Sequence, residues 1–182
     1  DNAAPNGLYL WVVQDSHLWR VDPSSGDYIH QGGADWNGAT SMTHGWITNG
    51  GVRTYYLFIV QDSKLWRVSP DTGHYEPLRV TDWSGNTAMT FDGTTETLYI
   101  CQNNVLWRVD PSTGGFAPVG DARGVVTIAS AGHPHLYASK LLDGRIYHID
   151  ATTGASTAIT GIDFAPVVGE LIAVRSANTT VP

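Results

Sequence analysis

Gln14-Asp15-Ser16-His17-Leu18-Trp19-Arg20-Val21-Asp22-Pro23 returns as Gln61-Asp62-Ser63-Lys64-Leu65-Trp66-Arg67-Val68-Ser69-Pro70. It returns again as Gln102-Asn103-Asn104-Val105-Leu106-Trp107-Arg108-Val109-Asp110-Pro111. A fourth, altered copy reads Asp143-Gly144-Arg145-Ile146-Tyr147-His148-Ile149-Asp150. Leu18, Leu65, Leu106 and Ile146 mark the same position in each, so the copies lie 47, 41 and 40 residues apart. That period lies in the range of propeller blades and is unlike that of collagen.

The same order of segments surrounds each copy. A short apolar strand with a tyrosine comes first: Leu8-Tyr9-Leu10, Tyr55-Tyr56-Leu57, Leu98-Tyr99-Ile100 and Leu136-Tyr137-Ala138. A polar hairpin leads into the Leu-Trp-Arg-Val strand, which ends in a turn such as Asp22-Pro23-Ser24-Ser25-Gly26. Proline presets φ at the first corner of such a turn, and glycine accepts the positive φ that follows. A third strand lies around Tyr28-Ile29 and Tyr75. Then come a loop with Asp35-Trp36 or Asp82-Trp83 and a strand of small residues such as Thr40-Ser41-Met42-Thr43. No segment carries a sustained 3.6-residue apolar period between helix caps. The reading is all-β, a four-bladed β-propeller with four strands per blade. One domain fills residues 1–182, with repeats at about 7–53, 54–96, 97–135 and 136–176.

Small residues suit the crowded centre where blades converge. The chain opens on the tyrosine strand and closes with Gly169-Glu170-Leu171-Ile172-Ala173-Val174, which matches the small-residue strand. The copies are therefore permuted. The C-terminal strand is predicted to pair with Leu8–Val13 and close the ring, removing the open edges that template aggregation.

The four copies resemble the repeat units of tachylectin-type and tectonin-type propeller lectins, across essentially the whole stretch from Gly7 to Ser176. The resemblance implies a propeller that binds sugars at repeated sites between or within blades. Repeat propellers of quinone enzymes share the pattern, but on a larger ring with metal-ligand residues that this chain lacks.

Composition narrows the partners. The formal net charge is −7 and no basic run occurs, so nucleic acid and anionic membranes are excluded as expected partners. No apolar run is long enough to insert in a membrane. A start at Asp1 and the sequon Asn178-Thr179-Thr180 fit a secreted protein. The single cysteine, Cys101, lies within an apolar strand pattern and reads as a buried filler.

Chemistry concentrates in the loop before the small-residue strand. Asp35-Trp36-Asn37-Gly38 and Asp82-Trp83-Ser84-Gly85 are near copies. Asp121 and Asp163 keep the carboxylate in the other two, where Ala122 and Phe164 replace the tryptophan. A loop indole can stack on the C–H face of a pyranose while a neighbouring carboxylate accepts bonds from its hydroxyls. Alternatively, Trp36 and Trp83 plug gaps between blades and each aspartate caps a turn. The candidate ligand-binding residues are Asp35, Trp36, Asn37, Asp82, Trp83 and Ser84. The four equivalent aspartates could also ring a channel mouth and hold a cation such as calcium.

Trp19, Trp66, Trp107 and Tyr147 share a strand face with Val21, Val68, Val109 and Ile149, and read as blade-to-blade contacts. Arg20, Arg67, Arg108 and His148 lie on the other face, where they pair with carboxylates or lay their stems on apolar surface. Gln14-Asp15 and Gln61-Asp62 read as hairpin formers. No GxSxG, HExxH or P-loop is present, and His133-Pro134-His135 sits in a turn without an evident third ligand. The chain is expected to be a non-enzymatic lectin without a required cofactor, binding glycans or glycoproteins multivalently. The alternative is a protein-interaction propeller, an inhibitor or adhesion module. Exposed aromatics on a small propeller leave room for a homodimer.

Overall fold

The hairpin motif builds each sheet. Asp15-Ser16, Asp62-Ser63 and Asn103-Asn104 all take positive φ, at 50° and 67°, 48° and 65°, and 49° and 66°. Two such residues in a row form the type I′ turn, whose twist matches that of paired strands. In the computed structural model, which describes residues 9–159 apart from Val80 and Leu142, all regular structure is strand.

The first sheet holds β1 (Leu10–Gln14), β2 (His17–Val21) and β3 (Tyr28–His30), in that order. The second holds β4 (Ala39–Asn49), β5 (Val52–Gln61), β6 (Lys64–Val68) and β7 (Tyr75–Pro77). The third holds β8 (Asn86–Asp92), β9 (Thr97–Gln102), β10 (Val105–Val109) and β11 (Phe116–Asp121). The fourth holds β12 (Val125–Ser130), β13 (His135–Lys140), β14 (Ile146–Asp150) and β15 (Ser156–Ala158). Every pairing is antiparallel between sequence neighbours. These four sheets are the blades of a propeller-like fold.

The small-residue strands take the inner position. β4 lies beside β8, and β8 beside β12. Short polar side chains bridge them: Thr40 Oγ1 donates to Asn86 Oδ1 at 2.5 Å, and Asn86 Nδ2 donates to Ser41 Oγ at 2.6 Å. Each inner strand slips register once near its start, between Ala39 and Ser41, Asn86 and Ala88, and Val125 and Thr127. The small-residue strand of one copy thus belongs to the sheet of the next, as the permutation requires. The first sheet shows three strands. Its inner place is the one assigned to Gly169–Val174, which lies outside the described residues, as do Leu8, Asp163, Phe164 and the sequon.

Apolar faces meet in sequence from blade to blade. Leu18 and Val13 meet Leu57, Ile59 and Val68; Phe58, Val60 and Leu65 meet Leu98, Ile100 and Val109. Tyr99, Cys101 and Leu106 then meet Leu136, Ala138 and Ile149. Cys101 is buried, and burial pushes its thiol up to about 12. The Arg67 face behaves as its spacing suggests. Arg67 pairs with Glu76, covers the Tyr56 ring at 5.0 Å, and reaches the carbonyls of Pro111 and Ser112 on the next blade at 3.5 Å.

Candidate functional site

The loops that enter the inner strands share one construction. Asp35 Oδ1 accepts the N–H of Asn37 at 2.9 Å, Asp82 Oδ1 that of Ser84 at 2.7 Å, and Asp121 Oδ1 that of Arg123 at 3.0 Å. The Ser84 bond is the chief reason that the Asp82 carboxyl is held below the usual carboxylate range. The N–H groups of Trp36, Trp83 and Ala122 donate to the carbonyls of Ser16, Ser63 and Asn104, each a hairpin corner of its own blade. A glutamine from the following blade then fastens the first two loops. Gln61 Nε2 donates to the carbonyls of Asp35 and Asn37 at 2.8 and 2.7 Å, and Gln102 Nε2 to those of Asp82 and Ser84 at 2.8 Å each.

This construction divides the six candidate residues. Asp35, Asn37, Asp82 and Ser84 are exposed at the rim. Trp36 and Trp83 are only 2% and 1% exposed. The expected stacking of a sugar on these two indoles is therefore corrected: both rings are plugs between blades. An indole removes a large apolar area from water, and each seam offers it a matching gap. Asp35, Asp82 and Asp121 spend an oxygen on their own turns. Among the described residues, no three His, Cys, Asp or Glu side chains gather to hold a metal ion, and Asp163 lies outside them.

What the plugs touch is more informative. The Trp36 ring stands nearly perpendicular to Trp66 at 6.4 Å and is tilted 69° to Tyr75 at 5.6 Å; Trp66 and Tyr75 are 5.4 Å apart. At the next seam Trp83 meets Phe116 at 5.6 Å, and Trp107 meets Phe116 at 5.5 Å. Each cluster has a buried floor (Trp36 or Trp83), a half-buried middle (Trp66 or Trp107) and an outer ring open to solvent. Tyr75 is 43% exposed and Phe116 39%. The indole N–H groups of Trp66 and Trp107 are buried and have no acceptor. Their counterpart on Trp19 donates to the Gln14 carbonyl at 3.2 Å.

The third seam departs from the pattern. Ala122 stands in the plug position, Tyr147 replaces the strand tryptophan, and the Tyr147 hydroxyl donates to Asp143 Oδ2 at 2.5 Å. That bond, ahead of every other influence, holds Asp143 below its usual range and raises Tyr147. Tyr75 and Phe116 were not singled out from sequence as site residues. One signal pointed to them: Tyr28, Tyr75 and Phe116 each follow a turn glycine (Gly26, Gly73, Gly114) by two residues.

No family model matches the chain, and no curated protein matches its sequence. Solved structures do match its shape. The WD40 repeats of RRP9 align with a TM-score of 0.60 and 12% identity, over 87% of this chain and 49% of that one. An auxiliary nutrient binding protein from Bacteroides ovatus aligns with a TM-score of 0.62 and 14% identity, over 90% of this chain and 42% of that one. The extracellular domain of a one component system from B. thetaiotaomicron aligns with a TM-score of 0.55 and 18% identity, over 85% and 21%. The chain spans about half or less of each of these proteins. WD40 repeats are four-stranded propeller blades, so the likeness supports the propeller-like fold. Among the described residues no helix is long and apolar enough to cross a membrane.

Proposed function

We propose that this chain is a non-catalytic, secreted carbohydrate-binding propeller, with repeated sites at the seams between its first and second and its second and third blades. The observation that carries the reading is the duplicated aromatic cluster. Trp66–Tyr75 and Trp107–Phe116 present partly open rings at equivalent places, each beside an indole N–H that has no acceptor. A pyranose needs an apolar ring to lie on and polar groups to meet its hydroxyls. Asp35, Asn37, Asp82 and Ser84 supply exposed polar groups on the loops that lead into the same seams. Two linked weak sites gain avidity on a glycan-coated surface without any new contact. The ring closure predicted from sequence belongs to this proposal, since it would fix the blades that frame the seams.

A glycan array probed with the labelled chain tests the reading. Tyr75→Ala and Phe116→Ala should each weaken binding by roughly three- to tenfold, the worth of a lost aromatic contact. A folded chain that binds nothing on a broad array overturns it.

A second reading, a protein-interaction propeller, draws on one feature. The β4–β5 hairpin, with 11 and 10 residues against 7 and 6 in β8 and β9, extends further and leaves Val52 and Tyr55 exposed. That reading predicts a protein partner captured regardless of free sugar and lost on Tyr55→Ser.

A further inference from the structure

Resting on the carbohydrate reading, we propose that the sugars taken at these seams are acidic, bearing a carboxylate. The chain has ten Lys and Arg residues against 17 Asp and Glu. A cation nonetheless stands over an aromatic ring at each of the three seams. Lys64 Nζ lies 5.6 Å from the Trp66 ring, Arg79 Cζ 5.6 Å from Phe116, and Lys140 Nζ 4.2 Å from Tyr147. With carboxylates in excess, surface cations usually find one. Among the described residues, ion pairs join Arg67 to Glu76 and Arg123 to Asp121, and neither Lys64 nor Arg79 takes part.

The third seam shows what completes such a group. There the protein supplies its own carboxylate: Asp143 accepts from the Tyr147 hydroxyl, and Lys140 faces both. Ring, cation and carboxylate form a closed set, and the plug tryptophan is absent. At the first two seams the ring and the cation are present, Asn103 replaces Asp143 in the second, and Asp62, its counterpart in the first, forms no ion pair with Lys64. A uronic acid stacked on Tyr75 or Phe116 would carry its exocyclic carboxylate to Lys64 or Arg79. The resulting bonds are charge-assisted, a point contact from the ammonium and a forked one from the guanidinium. The two sites are related but not identical. Lys64 precedes Trp66 on the same strand, whereas Arg79 reaches Phe116 from the neighbouring blade.

The test is calorimetric titration of the chain with a uronic-acid oligosaccharide and with the same oligosaccharide after its carboxyl groups are reduced to alcohols. The acidic form should bind about tenfold more tightly at low salt, and the gap should narrow as salt is raised. Lys64→Gln and Arg79→Gln should each narrow it, and the double variant should abolish it while still binding the reduced form. Equal binding of the two forms, or a gap that survives in the double variant, overturns the inference and leaves the carbohydrate reading standing. Absence of binding to either form and to every glycan on the array overturns both. Both changes are at the surface, and protection of the Cys101 thiol reports that the variants are folded.

Discussion

Trp83 and Asp92 show how far single residues commit this chain to its shape. Trp83 lies against Phe116 within the cluster that joins the second and third blades, and almost none of it reaches solvent. Trp83→Ala should cost about 3–5 kcal/mol in denaturant unfolding, the usual loss for a buried aromatic truncated to alanine. A loss under about 1 kcal/mol would return the ring to the surface and reopen its ligand role. Asp92 is buried and polar. Burial alone would raise its carboxyl, but bonds from Ser130, Thr95 and Thr94 outweigh that and hold it below its ordinary value. A carboxyl whose folded pKa is depressed adds stability above the unfolded value and loses it as the pH falls through the folded one. Thermal stability should therefore drop below about pH 4, where unfolded carboxylates start to take up protons. Asp92→Asn should unfold more easily at neutral pH by about 1–3 kcal/mol and show a shallower acid decline. An unchanged acid slope would remove Asp92 from the account and leave the turn aspartates Asp22, Asp110 and Asp150, which are also lowered.

At the scale of strands and turns, the sequence was most readable where the physics is local. The four repeats, the hairpin corners and the Trp-Val face all follow from alternation and turn chemistry, which act over a few residues. Gln61 and Gln102 were harder. Gln61 reads as a hairpin former and Gln102 is its copy in the next repeat, yet both are buried and bridge to loops 24 and 18 residues away. Nothing adjacent in sequence announces the carbonyls they serve. The two indoles were ambiguous for the same reason, because burial is decided by the neighbouring blade. The turn glycines tell a similar story. A Cβ on Gly154, which has φ of +74°, would sit 2.1 Å from the Val119 carbonyl of the preceding blade. The glutamine bridge can be tested directly. Gln102→Ala strands two inward carbonyls, so amide exchange in the Asp82–Asn86 loop should accelerate while the β9–β10 ladder stays protected. Equal exchange in both proteins would mean that the bridge does not hold the loop.

At the scale of the whole molecule, the three complete sheets define a rule that extends to the first. Each inner strand starts three residues after the plug position: Ala39 after Trp36, Asn86 after Trp83, Val125 after Ala122. Each then skips one residue, so that Met42 faces Ile59, Met89 faces Ile100 and Ile128 faces Ala138. The facing residue always lies two before the end of its strand and also pairs with the aromatic of the next: Ile59 with Trp66, Ile100 with Trp107, Ala138 with Tyr147. In the first sheet that residue is Val12, paired with Trp19 and 40% exposed. Counting from Phe164 as the fourth plug position, ring closure would set Glu170 opposite Val12. Facing residues of an antiparallel pair have Cα atoms about 4.5–5.5 Å apart, within the span of a disulfide. Val12→Cys with Glu170→Cys should therefore oxidise to an intramolecular link that raises the unfolding midpoint, with the buried Cys101 remaining a bystander. Free thiols at both positions after mild oxidation would deny the closed ring. They would leave β1 as an edge strand whose open hydrogen-bonding groups invite a second copy, and the chain would then form concentration-dependent oligomers.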